Sequence, residues 1–143
     1  KADTNMTIRQ TLEDNLVEYL QSCFDIPVFA IGKRINEELE DEASKNPKGA
    51  MFVMYVSSSR EKKGNMYEKK IKYLILIFNK NRREKDGIYD LIEILEEKLY
   101  GYKYKSLSTE LGEDSISYQA TVKGFWLGEF EIKFNLIYPI QYI

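Results

Sequence analysis

Around residue 71 polar positions almost vanish: Ile71–Phe78 reads IKYLILIF, with Lys72 its one polar member. Alternate residues of a strand point to opposite faces. Ile71, Tyr73, Ile75 and Ile77 therefore line one face, and Leu74, Leu76 and Phe78 the other. The β-branched and aromatic content and the Lys-rich flanks predict a strand rather than a buried helix, covered on both sides. Ala50–Val56 (AMFVMYV) repeats the two-sided apolar pattern. Ser57-Ser58-Ser59 and Arg60–Asn65 between them are polar. The two runs thus read as a long antiparallel hairpin with a flexible tip over Ser57–Tyr67, mobile until a neighbour orders it.

Helical spacing appears in two places. Ile8, Leu12, Leu16, Tyr19, Leu20 and Cys23 recur along one face of Thr7–Phe24, and Thr7 with Gln10 forms a capping-box signature. Cys23 lies on that stripe as a small buried hydrophobe. Ile88, Leu91, Ile92, Leu95 and Leu99 give a second buried stripe, with Asp86 as its cap and Gly101 as its stop. Val28–Ile31 reads as a short strand. Ile35–Lys45, with Glu37, Glu38, Glu40, Asp41 and Glu42, reads as a solvated helix face or loop. Lys103–Asp114 is weakly patterned and reads as loop. Ile116–Val122 and Phe130–Tyr138 alternate apolar with polar, which predicts a second hairpin turning over Gly124–Gly128. The fold class is α+β: a mainly antiparallel sheet of four to five strands, with two main helices packed on one face. One domain over residues 6–143 follows, with Met6 reading as a natural start and residues 1–5 as unstructured.

Composition narrows the chemistry. The chain has 143 residues, a formal net charge of -2 and no histidine. Imidazole-based nucleophile pairs and His-ligated zinc are thereby excluded. One cysteine excludes an internal disulfide. No apolar run approaches the roughly 20 residues that span a bilayer, so no membrane partner is expected. The glycines match no P-loop or dinucleotide fingerprint. No catalytic residue, cofactor or metal site is read from the sequence.

Three groups of residues stand out as candidate contacts with other subunits or a tube. Arg60, Lys62 and Lys63, with Arg82 and Arg83 in the basic loop Asn79–Lys85, oppose the acidic run Glu37–Glu42, a polarity suited to head-to-tail contacts. Phe125, Trp126 and Leu127 are too apolar for an exposed turn, so they fold under the sheet or meet a partner. Ile140, Tyr142 and Ile143 crowd the chain end. Pro139 is expected to take them out of the sheet, onto a neighbour or back over a bare sheet face.

The order of elements resembles the tail terminator (tail completion) proteins of long-tailed bacteriophages and phage-tail-like bacteriocins. The resemblance is carried by the helix Thr7–Phe24, Pro47-Lys48-Gly49 before Ala50–Val56, Gly87-Ile88-Tyr89-Asp90-Leu91-Ile92, and the closing hairpin Ser115–Tyr138 with its aromatic turn. It implies a non-enzymatic structural subunit that forms a ring, six-membered in the family, on the last ring of a tail tube. Such a ring ends tube polymerisation and joins the tail to the neck or head. The implied partners are the chain itself, the tube protein, and sheath or neck and connector proteins. The implied location is a virion tail or tail-like particle assembled in the bacterial cytoplasm. Two alternatives come from the residues. One is a metal-dependent nuclease using carboxylates with Lys70 or Lys72. The other is a nucleic-acid-binding module using Arg60, Lys62, Lys63, Arg82, Arg83 and Lys85, which the net charge disfavours.

Overall fold

The computed structural model describes residues 6–32, 36–46, 48–119 and 124–139. Its elements are α1 (Ile8–Cys23), β1 (Val28–Ala30), α2 (Asn36–Ser44), β2 (Ala50–Lys63), β3 (Met66–Asn79), α3 (Ile88–Leu99), β4 (Lys103–Tyr104), β5 (Leu107–Gln119) and β6 (Phe125–Pro139). The strands form one six-stranded sheet in the order β1-β2-β3-β6-β5-β4. β1 runs parallel to β2, and every other pairing is antiparallel. The class is α+β as read from the sequence. The sheet is mixed rather than purely antiparallel and is one strand larger than expected, because part of Lys103–Asp114 is strand.

The predicted central strand is central. β3 lies between β2 and β6, and Ile71, Tyr73, Ile75 and Ile77 are fully buried in one cluster with Leu12, Leu16 and Leu20 of α1 and the apolar stripe of α3. Each fully buried aliphatic chain there is worth roughly 1.5–3 kcal/mol. Leu76 and Phe78 point the other way, into a smaller cluster with Phe52, Phe125, and Leu39 and Ala43 of α2. Two helices therefore share one face, as expected, and the acidic segment is a third helix that covers the opposite face with its two apolar residues.

Local signals explain most boundaries. Thr7 caps α1 in a complete capping box with Gln10. Gly101, at φ +78°, ends α3. The cap of α3 is Gly87 rather than Asp86, which instead takes φ +63° and donates its N–H to Asp90 Oδ2 at 2.8 Å. Gly128 allows α3 to approach the sheet, since a Cβ there would lie 3.1 Å from Ile88 Cδ1 and 3.2 Å from Ile92 Cδ1. Cys23 is only half-buried. No described helix is long and apolar enough to cross a membrane.

The hairpin β2–β3 departs most from expectation. The tip is strand, not flexible loop: pairing continues past a bulge at Val56 to Lys63↔Met66, and only Gly64 and Asn65 turn the chain. Gly64, at φ +62°, occupies the first turn position, which a two-residue type II′ hairpin reserves for glycine. β6 supports this extension by pairing with β3 as far as Met66↔Pro139. Pro139 thus ends inside the ladder rather than outside it. Beyond Phe134 the described strand β6 has only β3 beside it, and an edge is where proline is tolerated in a sheet. Ser57–Lys63, Met66–Lys72 and Asn135–Pro139 together make a three-stranded arm. The 14-residue strand β2 is roughly 45 Å long at about 3.3 Å per residue.

Candidate protein interface

The sheet register divides the expected contact residues between two ends of the molecule. Arg60, Lys62 and Lys63 lie on the arm near the hairpin turn. Trp126 and Leu127 lie at the other end, opposite Asn79 and Phe78. Arg82 and Arg83 follow Asn79 and share that second end. Ile140, Tyr142 and Ile143 fall outside the described residues. The basic groups therefore do not form one surface.

At the second end, Phe125–Leu127 is the start of β6 and not a turn, a correction that follows from pairing with both β3 and β5. Alternation then separates the three side chains. Phe125 is buried in the α2 cluster, edge-on to Phe78, and Leu127 packs partly buried beside it. Both are core, not contact residues. Trp126 projects to the opposite face, where it forms a ladder with residues from three other segments.

The ladder begins on α3. The Arg82 guanidinium lies 5.9 Å from the ring centroid of Tyr89 and 4.7 Å from that of Trp126. Trp126 in turn meets Tyr118 of β5 with centroids 5.0 Å apart at 63°. Local backbone bonds fix the order. Asn79, buried at the end of β3, donates to Lys48 O and Asp86 O and accepts from Asn81 N. Arg82 O accepts from Tyr89 N at 3.0 Å. The loop is thereby pinned to the start of α3, and the arginine is laid across the indole. Tyr118 is 54% exposed and Tyr89 43% exposed, so the ladder faces outward despite its aromatic content. Arg83 is exposed beside it. Cation–π contacts of this kind are worth about 0.5–1 kcal/mol at exposed sites. The composition matches that of binding hot spots, which are enriched in Trp, Tyr and Arg.

The arm has a different electrostatic character. On the face away from α1, Lys63 meets Glu68 at 2.7 Å, Lys70 meets Glu110 at 2.8 Å and Lys72 meets Glu131 at 3.6 Å. Lys63 holds the Glu68 carboxyl below its usual range, and Glu110 holds the Lys70 ammonium above its own. Lys70 and Lys72 are thus engaged by carboxylates, as the nuclease alternative required. Among the described residues, however, no three carboxylate, thiol or imidazole groups are placed to hold a metal ion. Near them Glu113, Asp114, Glu129 and Glu131 surround a cavity of about 100 Å³ beside the β5 bulge.

The sheet also has two open sides. β1 covers β2 only along Met51–Val53, and β4 covers β5 only along Leu107–Ser108. Among the described residues, the outer edges of Met54–Lys63 and Thr109–Ile116 have no strand partner. Arg82 and Trp126 are legible in the sequence as candidate contacts, and Tyr89 and Tyr118 are not. These two stand on other elements, and only the β5–β6 register, with Tyr118 opposite Trp126, brings them together. Compared with protein-family models and with curated proteins, the chain matches none.

Proposed function

We propose that this protein is a structural subunit of a ring that caps a tail tube, of the tail-terminator type, and that it works by protein–protein contact rather than by catalysis. The observation that carries the reading is the outward-facing ladder Tyr89–Arg82–Trp126–Tyr118. Four large side chains from a loop, a helix and two strands are held in fixed order, and a monomer gains little from leaving them in water. Large rigid side chains lose little conformational freedom on docking, which is why they dominate binding energy. The two open sheet edges supply a means of repetition. They lie on opposite sides of one sheet, so the β2 edge of one copy and the β5 edge of the next make a heterologous contact. Such contacts close into rings when the rotation permits. Charges at Arg60–Lys63 and the bulge at Val56 restrict which strands the β2 edge accepts.

Light scattering after size-exclusion chromatography, with electron microscopy of the protein mixed with tail tubes, tests the reading. The expected result is a closed ring, six-membered by the family resemblance, seated at one tube end. Tyr118→Ala and Tyr89→Ala, at exposed positions, are expected to leave the subunit folded and weaken ring or tube binding at least tenfold. A monomer both alone and with tubes would overturn the proposal.

A further inference from the structure

The face of the arm turned toward α1 carries cations that no ion pair joins to a carboxylate among the described residues. Arg60 and Lys69 stand directly opposite each other on β2 and β3, and Lys62 stands opposite Tyr67 two pairs nearer the turn, on the same face. Arg9, in the first turn of α1, reaches over the same face: its Nη2 donates to Ser58 Oγ at 3.1 Å, and its guanidinium lies 5.2 Å from the Tyr55 ring centroid. Tyr55 and Ser58 share a 2.8 Å hydrogen bond. Tyr73 OH donates to Arg9 O at 2.5 Å and holds the helix start against the sheet.

Like charges placed directly across two strands destabilise a sheet, yet here they are gathered. Desolvation lowers the Lys69 ammonium below its usual value, and Arg9 and Arg60 lower it further. Among the described residues no ion pair joins Arg9, Arg60, Lys62 or Lys69 to a carboxylate, whereas on the reverse face of the same arm Lys63, Lys70 and Lys72 each meet one. Glu13, one turn along α1 from Arg9, is pushed upward by burial and by Asp14, with no cation holding it down. The arrangement gathers four positive groups on one face, with no carboxylate among the described residues paired to them.

We propose that this face binds the phosphate backbone of single-stranded nucleic acid without sequence preference, through Arg9, Arg60, Lys62 and Lys69. A sheet face with cations beside Tyr67 and Tyr55 fits a single strand, because phosphates meet the charges while bases lie against rings. An acidic protein segment would meet the same charges but leave the rings unused. The inference does not depend on the ring proposal.

Fluorescence anisotropy of the full chain with a labelled 20-nucleotide oligothymidylate tests it, across a salt series. Expected is a micromolar to 100-micromolar dissociation constant, typical of non-specific binding. The log–log salt slope should lie near −3, since each phosphate neutralised on a single strand contributes about −0.7. R60E/K69E should weaken binding at least tenfold and flatten the slope by about half. R83E/K85E, with the same charge change in the exposed loop at the other end, should leave both unchanged. R60Q/K69Q gives the same reading if the charge-reversed variant does not fold, as judged by circular dichroism. No binding, equal loss in R83E/K85E, or equal competition by an unlabelled polyglutamate peptide would overturn the proposal.

Discussion

The two halves of the β2–β3 hairpin share the same two strands, one register step apart across the Val56 bulge, yet they are built on different principles. In the base, Phe52, Val53, Ile75 and Ile77 are buried, with helices over both faces. In the arm the same strands carry serine, lysine, arginine and glutamate, and no described helix lies over the face that bears Lys63, Lys70 and Lys72. The contrast shows that strand geometry here does not require a core. The base supplies the stability and sets the register. The arm is held in line by the continuous β3–β6 ladder and by β2–β3 pairing that resumes beyond the Val56 bulge, so its side chains are available for contact.

The comparison predicts unequal costs for equal truncations. Ile75→Ala removes three methyl or methylene groups from a fully buried site, and should cost about 2–5 kcal/mol in urea unfolding. Ile137→Ala on the arm, where the side chain is 62% exposed, should change stability by less than about 0.5 kcal/mol. Similar costs at the two positions would break the distinction.

At the junction of the halves, Tyr73 donates to Arg9 O, and its phenol is pushed well above its usual range chiefly by burial. Tyr73→Phe should cost about 0.5–1.5 kcal/mol, the usual net worth of one hydrogen bond. Amide exchange should show the added opening at the start of α1 rather than in β3. Loss confined to the sheet would place the junction elsewhere.

These differences also mark where the sequence was readable. The base was legible because burial imposes a pattern: two-sided apolar runs in β2 and β3, and the stripes of α1 and α3. The first half of β5 was not, since Thr109-Glu110-Leu111-Gly112-Glu113-Asp114 has no regular alternation and carries a bulge between Leu111 and Asp114. The hairpin tip was misread for the same reason. Polar residues on both faces look like loop until a third strand is known to lie alongside. Of the ladder, Arg82 and Trp126 were visible and their partners were not. Of the cationic face, Arg60 and Lys62 were visible, but Arg9 and Lys69 lay in segments read for their apolar positions alone.

A smaller effect is expected on the arm. Arg60→Glu replaces a like-charged cross-strand pair with an opposite one, and should raise stability by about 0.2–1 kcal/mol. The gain should shrink as salt is raised, because these charges are screened. Unchanged or lower stability would mean that the cations of this face already have a compensating partner.

The smallest effect comes from α1, where Glu13 lies within electrostatic reach of Tyr73 at the junction. Burial first, then Asp14, raises the Glu13 carboxyl above its usual value. The folded chain therefore holds the Glu13 proton more tightly than the unfolded chain does. Between the unfolded and folded values the native state binds more protons, so stability falls as pH rises through that window and stays lower above it. Water screens a half-exposed carboxyl, so the loss at neutral pH should be less than about 0.5 kcal/mol. Glu13→Gln removes the charge and should recover that amount at pH 7. It should make no difference at a pH below both values, where Glu13 is already neutral in each state. Paired thermal melts of the two proteins from acid to neutral pH measure the effect. A variant that is destabilised at pH 7 would show that the Glu13 charge has a favourable partner at the junction.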